Sequence, residues 1–176
     1  AAEPMVAATT FDRTGLAGWR AGESGVLKLI LRDRYGNEVR AASALFTFEG
    51  RASGPGGVAV EQRANLDDGG VLFEFKSTVA GIYKIGVACV DTDEVLPGLP
   101  IDVTMLAGKI SHVGCTATLQ TITGAGKGPG ASAAAFGVAV AMAGEEITAL
   151  VDARDRFGNA TTWSGESASV VAHGPA

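Results

Sequence analysis

Cysteine is scarce: the 176 residues hold two, Cys89 and Cys115, too few for the disulfide framework that staples small secreted domains. Aromatic residues make up 6% and charged residues 19% of the chain. Positive charge is in deficit, with 14 Lys and Arg against 19 Asp and Glu and a net charge of −5. A nucleic-acid partner, which demands clustered cations against phosphate, is therefore not expected. Long hydrophobic runs are missing too. The most apolar stretch, ASAAAFGVAVAMAG from Ala131 to Gly144, consists mostly of small side chains and falls short of the roughly 18 to 20 residues that span a bilayer, so no membrane span is expected. The opening AAEPMVAATTFD has neither the basic flank nor the apolar core of a signal peptide.

Sets of catalytic or metal-binding residues are also lacking. The two histidines, His112 and His173, stand far apart, with no cysteine or carboxylate at zinc-site spacing. No Gly-x-Ser-x-Gly elbow presents a nucleophile. Asp91, Asp93 and Glu94 lack the spacing and glycine of a calcium loop and read as a solvated loop. Gly124-Ala125-Gly126-Lys127 has glycines but no Ser or Thr after the lysine, so it does not read as a phosphate cradle. Neither catalysis nor a cofactor nor a metal is expected.

Glycine, by contrast, is abundant: 25 of 176 residues, about twice the usual 7%. With 47% hydrophobic residues the chain can bury a core, and many turns with few bulky side chains favour an all-β fold. The length suits one or two domains. An internal repeat settles how they are arranged. Ala21-Gly22-Glu23 and Arg32-Asp33-Arg34-Tyr35-Gly36-Asn37 return as Ala143-Gly144-Glu145 and Arg154-Asp155-Arg156-Phe157-Gly158-Asn159, both at an offset of 122 residues. By that offset the second copy reaches the equivalent of Gly54 at residue 176. The expected division is a complete unit over 1–107, a linker at 108–114, and the first half of a second unit over 115–176 with a Gly/Ala-rich insert at 124–135. Half a sandwich exposes an apolar face and open edges, so the remainder of the parent chain or an assembly partner is expected to cover it.

Alternating apolar residues mark the strands of the first unit. Leu27, Leu29 and Leu31 form one set, Phe46 and Phe48 a second, Val58 and Val60 a third. Val71, Phe73 and Phe75 follow, then Tyr83, Ile85, Val87 and Cys89, then Ile101, Val103 and Met105. A seventh strand fits Val6 to Phe11. Turn residues separate them at Tyr35-Gly36-Asn37, Gly54-Pro55-Gly56-Gly57, Asp67-Asp68-Gly69-Gly70, Ala80-Gly81 and Pro97-Gly98. Seven short strands at this spacing predict an immunoglobulin-like β-sandwich of about 100 residues.

Asp33 and Asp155 occupy matched positions before Gly-Asn and read as turn residues that accept local backbone hydrogen bonds. Cys89 lies in the inward register and is expected to be a buried thiol. A Cys89–Cys115 bridge is an open alternative. Trp19 and Trp163 are expected to cap a sandwich end. Asn159-Ala160-Thr161 matches a glycosylation acceptor, but its counterpart Asn37-Glu38-Val39 does not, so it reads as coincidence.

The order AGE, RDRYGN, ALFTFEG, DDGGVLFEFKSTVAGIYKIGVACV, LPGLPIDVTMLAG resembles the filamin-type repeat over Ala21 to Gly108, and in part over Ala143 to Gly174. Bacterial immunoglobulin-like adhesin repeats share an Asp-x-x-Gly-Asn turn and are the rival resemblance. The Gly-x-Tyr and Pro-Gly-x-Pro elements favour filamin. The period of 122 exceeds one sandwich, an excess assigned to the linker and the Gly-rich insert. The resemblance implies a structural, scaffolding segment that binds proteins by adding a partner strand to a sheet edge, in a cytoplasmic, cytoskeleton-associated setting. In that family the partner docks beside strand C over the groove toward strand D. By position this maps to 44–49 and 58–61, with Leu45 and Thr47 facing outward and Glu49, Val58 and Val60 completing the expected site. The alternative is an extracellular adhesion module at a cell surface. Intact mass separates the two: free thiols and no glycan indicate a reducing compartment, a bridge or a sugar the secretory route.

Overall fold

The computed structural model describes residues 5–39, 46–65, 70–122 and 146–162. The chain divides into two compact units, 1–108 and 109–176. Both are built from antiparallel strands.

The first unit is a two-sheet sandwich. One sheet has the order β1-β2-β5-β4, formed by β1 (Thr10–Asp12), β2 (Ser24–Ile30), β5 (Gly70–Lys76) and β4 (Ala59–Asn65). The other centres on β6 (Gly81–Cys89), with β3 (Phe48–Ser53) on one side and β7 (Glu94–Val95) and β8 (Ile101–Met105) sharing the other. With β7 and β8 dividing one edge of β6 between them, the second sheet has four strands, and the layout otherwise follows the two sheets of a constant-type immunoglobulin domain. Leu27 and Leu29 from β2, with Leu31 just beyond it, and Val71, Phe73 and Phe75 from β5 meet Phe48, Tyr83, Ile85, Val87, Cys89 and Met105 from the opposite sheet, all buried. The period-two pattern works because successive side chains leave a strand on opposite faces.

Tyr83 ties the corner between β5 and β6. Its hydroxyl donates to the Val79 carbonyl at 2.5 Å and lies 3.1 Å from Ser77 Oγ, which donates to the Gly57 carbonyl. A tyrosine near the start of this strand, bonded back to main chain a few residues upstream, is a hallmark of the fold. Trp19 is buried against the Tyr83 ring at a centroid distance of 5.6 Å, and its indole N–H donates to the Glu23 carbonyl. It belongs to the core; Trp163 lies outside the described residues.

Two boundaries and one short strand differ from the sequence reading. The expected first strand over Val6 to Phe11 is a 3-10 turn at Val6–Ala8 followed by β1. The third strand is shifted along the chain: Phe46 and Phe48 mark it in the sequence, yet β3 starts at Phe48 and runs on past Gly50 to Ser53. Gly50 belongs inside it because a Cβ there would sit 2.6 Å from Val60 Cγ1 and 2.8 Å from Phe73 Cδ1. The two-residue β7 is too short to show alternation.

In the second unit β9 (Thr116–Ile122) pairs with β10 (Glu146–Asp152). β10 is β2 displaced by the full 122 residues, since 146 − 24 = 122. β9 follows another spacing. Thr10 pairs with Ile30 and Thr116 with Asp152, the equivalent of Ile30, so the first strands are 116 − 10 = 106 residues apart. The excess of 122 − 106 = 16 residues therefore lies between the two paired strands of the second unit. The Gly-rich segment expected to carry it is outside the described residues.

The matched Asp turns fold alike. Asp33 Oδ1 accepts from the main-chain N–H of Tyr35 and Asn37, and Asp155 Oδ1 from those of Phe157 and Asn159. Asn37 and Asn159 donate their side-chain amides back to the same carboxylates. Arg32 and Arg154 each close the loop by donating to the glycine carbonyl at 2.7 Å. Gly36 (φ 85°) and Gly158 (φ 87°) occupy the left-handed region that the turn requires.

Candidate functional site

A sheet edge is a candidate site when its main-chain groups face outward without partners. β3 pairs with β6 from Phe48↔Cys89 to Ser53↔Lys84. The Thr47 carbonyl accepts from Val90 N–H, and in an antiparallel ladder the direction of these groups alternates. Glu49, Arg51 and Ser53 thus direct their N–H and C=O toward β6, while Phe48, Gly50 and Ala52 direct theirs to the other side. Among the described residues β3 has no second partner strand. An extended segment laid there would find a row of donors and acceptors already aligned.

The side chains around this edge divide by face. Phe48 is buried, and Val58 and Val60 are half-buried and packed on the core. On the outer face Arg51 bridges Glu49 at 3.0 Å and Asp93 at 3.4 Å, and both contacts hold its guanidinium even more firmly protonated. Asp91 Oδ2 accepts the Thr47 N–H at 2.8 Å. Asp91 and Asp93, considered as calcium ligands, thus brace Thr47 just before β3 and Arg51 within it.

Of the expected site residues, Leu45 lies outside the described residues. Thr47 is exposed and immediately precedes β3, with its own N–H and C=O both committed. Glu49 is exposed on the outer face within the Arg51 bridge. Val58 precedes β4 and Val60 lies within it, both turned inward. The main-chain groups of Gly50 and Ala52 escaped the sequence reading. Periodicity reports side chains, and the open row belongs to the backbone.

Both cysteines are free, Cys89 buried and Cys115 half-buried. The Asn159 side-chain nitrogen, the atom a glycan would occupy, donates to Asp155 Oδ2 at 2.8 Å. Among the described residues no three His, Cys, Asp or Glu side chains cluster as a metal would need, and no helix is long and apolar enough to cross a membrane.

No family model matches the sequence, and no curated protein matches it. Solved structures do share its architecture. The Lin-41 filamin domain is 16% identical with a TM-score of 0.50, the match covering 61% of this chain and 100% of that one. InvD of Yersinia pseudotuberculosis is 13% identical with a TM-score of 0.58, over 89% of this chain and 44% of that one. The Escherichia coli adhesin FdeC is 16% identical with a TM-score of 0.49, over 67% of this chain and 36% of that one. This chain thus spans less than half the length of the InvD and FdeC chains. At such identities the likeness concerns the fold, and the fold is an all-β, immunoglobulin-like sandwich.

Proposed function

We propose that this chain is a structural and protein-interaction segment of a larger repeat protein, and that it takes partners by strand addition at the open edge of β3. The observation that carries this reading is the outward row of main-chain groups at Phe48, Gly50 and Ala52, beside the half-buried Val58 and Val60. The ladder supplies affinity, and alternate side chains of the partner, meeting Val60 on one face and Glu49 and Arg51 on the other, supply selectivity. The resemblance to filamin repeats supports a cytoplasmic setting; a cell-surface adhesion module is the alternative, and the state of the two thiols and of Asn159 in the intact mass separates them.

The test starts from peptides selected against the full chain from a random library and mapped by amide protection. The expected result is new protection at Phe48, Gly50 and Ala52. Ala52→Pro removes an outward donor without touching the ladder to β6 and is expected to weaken the selected peptides. Protection at another edge, or full binding by the proline variant, overturns the reading.

A further inference from the structure

We propose that the stacked pair Arg34–Tyr35, repeated as Arg156–Phe157, is a recognition site for the carboxylate side chains of an acidic segment of a partner protein. In the first unit the Arg34 guanidinium lies over the Tyr35 ring at 4.7 Å from its centroid; in the second Arg156 lies over Phe157 at 4.5 Å. Both pairs stand at the tips of the Asp turns. Tyr35 is 71% and Phe157 37% exposed.

The turn does not require these side chains. It is built by the Asp carboxylate, the Asn amide, the left-handed Gly and the preceding Arg. Arg34, Tyr35, Arg156 and Phe157 are exposed, and none of those bonds uses their side chains. Elsewhere the two copies have drifted even where a core would resist change: Leu27, Leu29 and Leu31 correspond to Ala149, Val151 and Ala153. An arginine and an aromatic ring, solvent-exposed and unnecessary to the turn, nevertheless stand in both copies with the guanidinium over the ring at nearly the same distance. The fold does not account for that recurrence.

The chemistry indicates the ligand. A guanidinium lying on a ring keeps its edge N–H groups free and holds them in one orientation, suited to bidentate contact with a carboxylate. Stacking lowers the entropy lost on binding. Among the described residues neither Arg34 nor Arg156 has a carboxylate partner, whereas the neighbouring Arg32 and Arg154 are bridged to Glu38 and Asp152. The free guanidinium edge, more than the ring face, is the group left to meet a partner, and an acidic protein segment supplies the carboxylates that match it. Arg and Tyr are also residues enriched where protein partners bind most strongly.

The test titrates the full isotope-labelled chain with an end-blocked oligoglutamate peptide, with oligolysine as control, by NMR at low and physiological salt. Saturable shifts confined to 33–37 and 155–159, weakening as salt rises, are expected for oligoglutamate alone. The double variant Arg34→Gln and Arg156→Gln is expected to bind about tenfold more weakly at an unchanged melting temperature. The corresponding Lys pair, which keeps the charge and loses the fork, should recover little of that loss. Shifts spread over the surface lysines, no saturable shift, or unchanged affinity in the Gln variant each overturn the proposal. A lowered melting temperature with unchanged affinity shows the pair to be a brace of the turn. The site is independent of the β3 edge, so Ala52→Pro should leave this titration unaltered.

Discussion

Asp33 shows how one carboxylate can set the acid limit of stability. The Asn37 side chain above all, then the main-chain N–H groups of Asn37, Tyr35 and Gly36, hold its pKa below the ordinary aspartate value, against an opposing push from burial. A folded pKa lower than the unfolded value of about 3.9 means that the stabilisation is present above about pH 4 and is lost as pH falls through the lowered folded value. Asp12, held down by Thr14, and Glu74, held down by the Ser24 hydroxyl and Arg63, act in the same direction. In urea titrations Asp33→Asn is therefore expected to cost stability at pH 7, and the cost should shrink steadily as pH is lowered from about 4 through the folded value. An equal loss across that range would show that the charge is irrelevant. Gly50 makes a second prediction of this kind. The Cβ of Gly50→Ala would overlap a stiff β-branched side chain and a buried ring, and overpacking of this sort costs about 1 to 3 kcal/mol. A denaturant midpoint equal to that of the parent would contradict the close packing of β3 under Val60.

The strands with full alternation were legible without coordinates. β2, β5 and β6 show it plainly in Leu27 and Leu29, in Val71, Phe73 and Phe75, and in Tyr83, Ile85, Val87 and Cys89, all of them buried. β3 was legible only in its first residues, because Gly50 reads as a breaker when the side chains facing it are unknown. The open row on β3 has a direct consequence for hydrogen exchange. The amides of Glu49 and Arg51, aimed at β6, should exchange slowly, and those of Phe48, Gly50 and Ala52, aimed outward, quickly. Uniform protection along the strand would mean that another segment already occupies the edge. The paired tips Arg34–Tyr35 and Arg156–Phe157 were visible as a motif, but the stacking of cation on ring was not, since either residue could have pointed elsewhere.

The first unit contains both sheets, the tyrosine corner and a closed core from Val6 to Met105. Residues 1–108 expressed alone are therefore expected to melt in a single cooperative transition as a monomer. A fragment that folds only when joined to the rest would refute the division into units. Length, composition, the 122-residue repeat and the period-two pattern were enough to specify an all-β sandwich with a duplicated Asp turn, because burial and turn conformation are decided by residue type and local spacing. Which strand lies at an edge, which backbone groups face outward, and where the repeat's extra residues sit were decided by the tertiary structure. Those properties depend on strand order and register, and pairing between distant segments leaves no local trace in the chain.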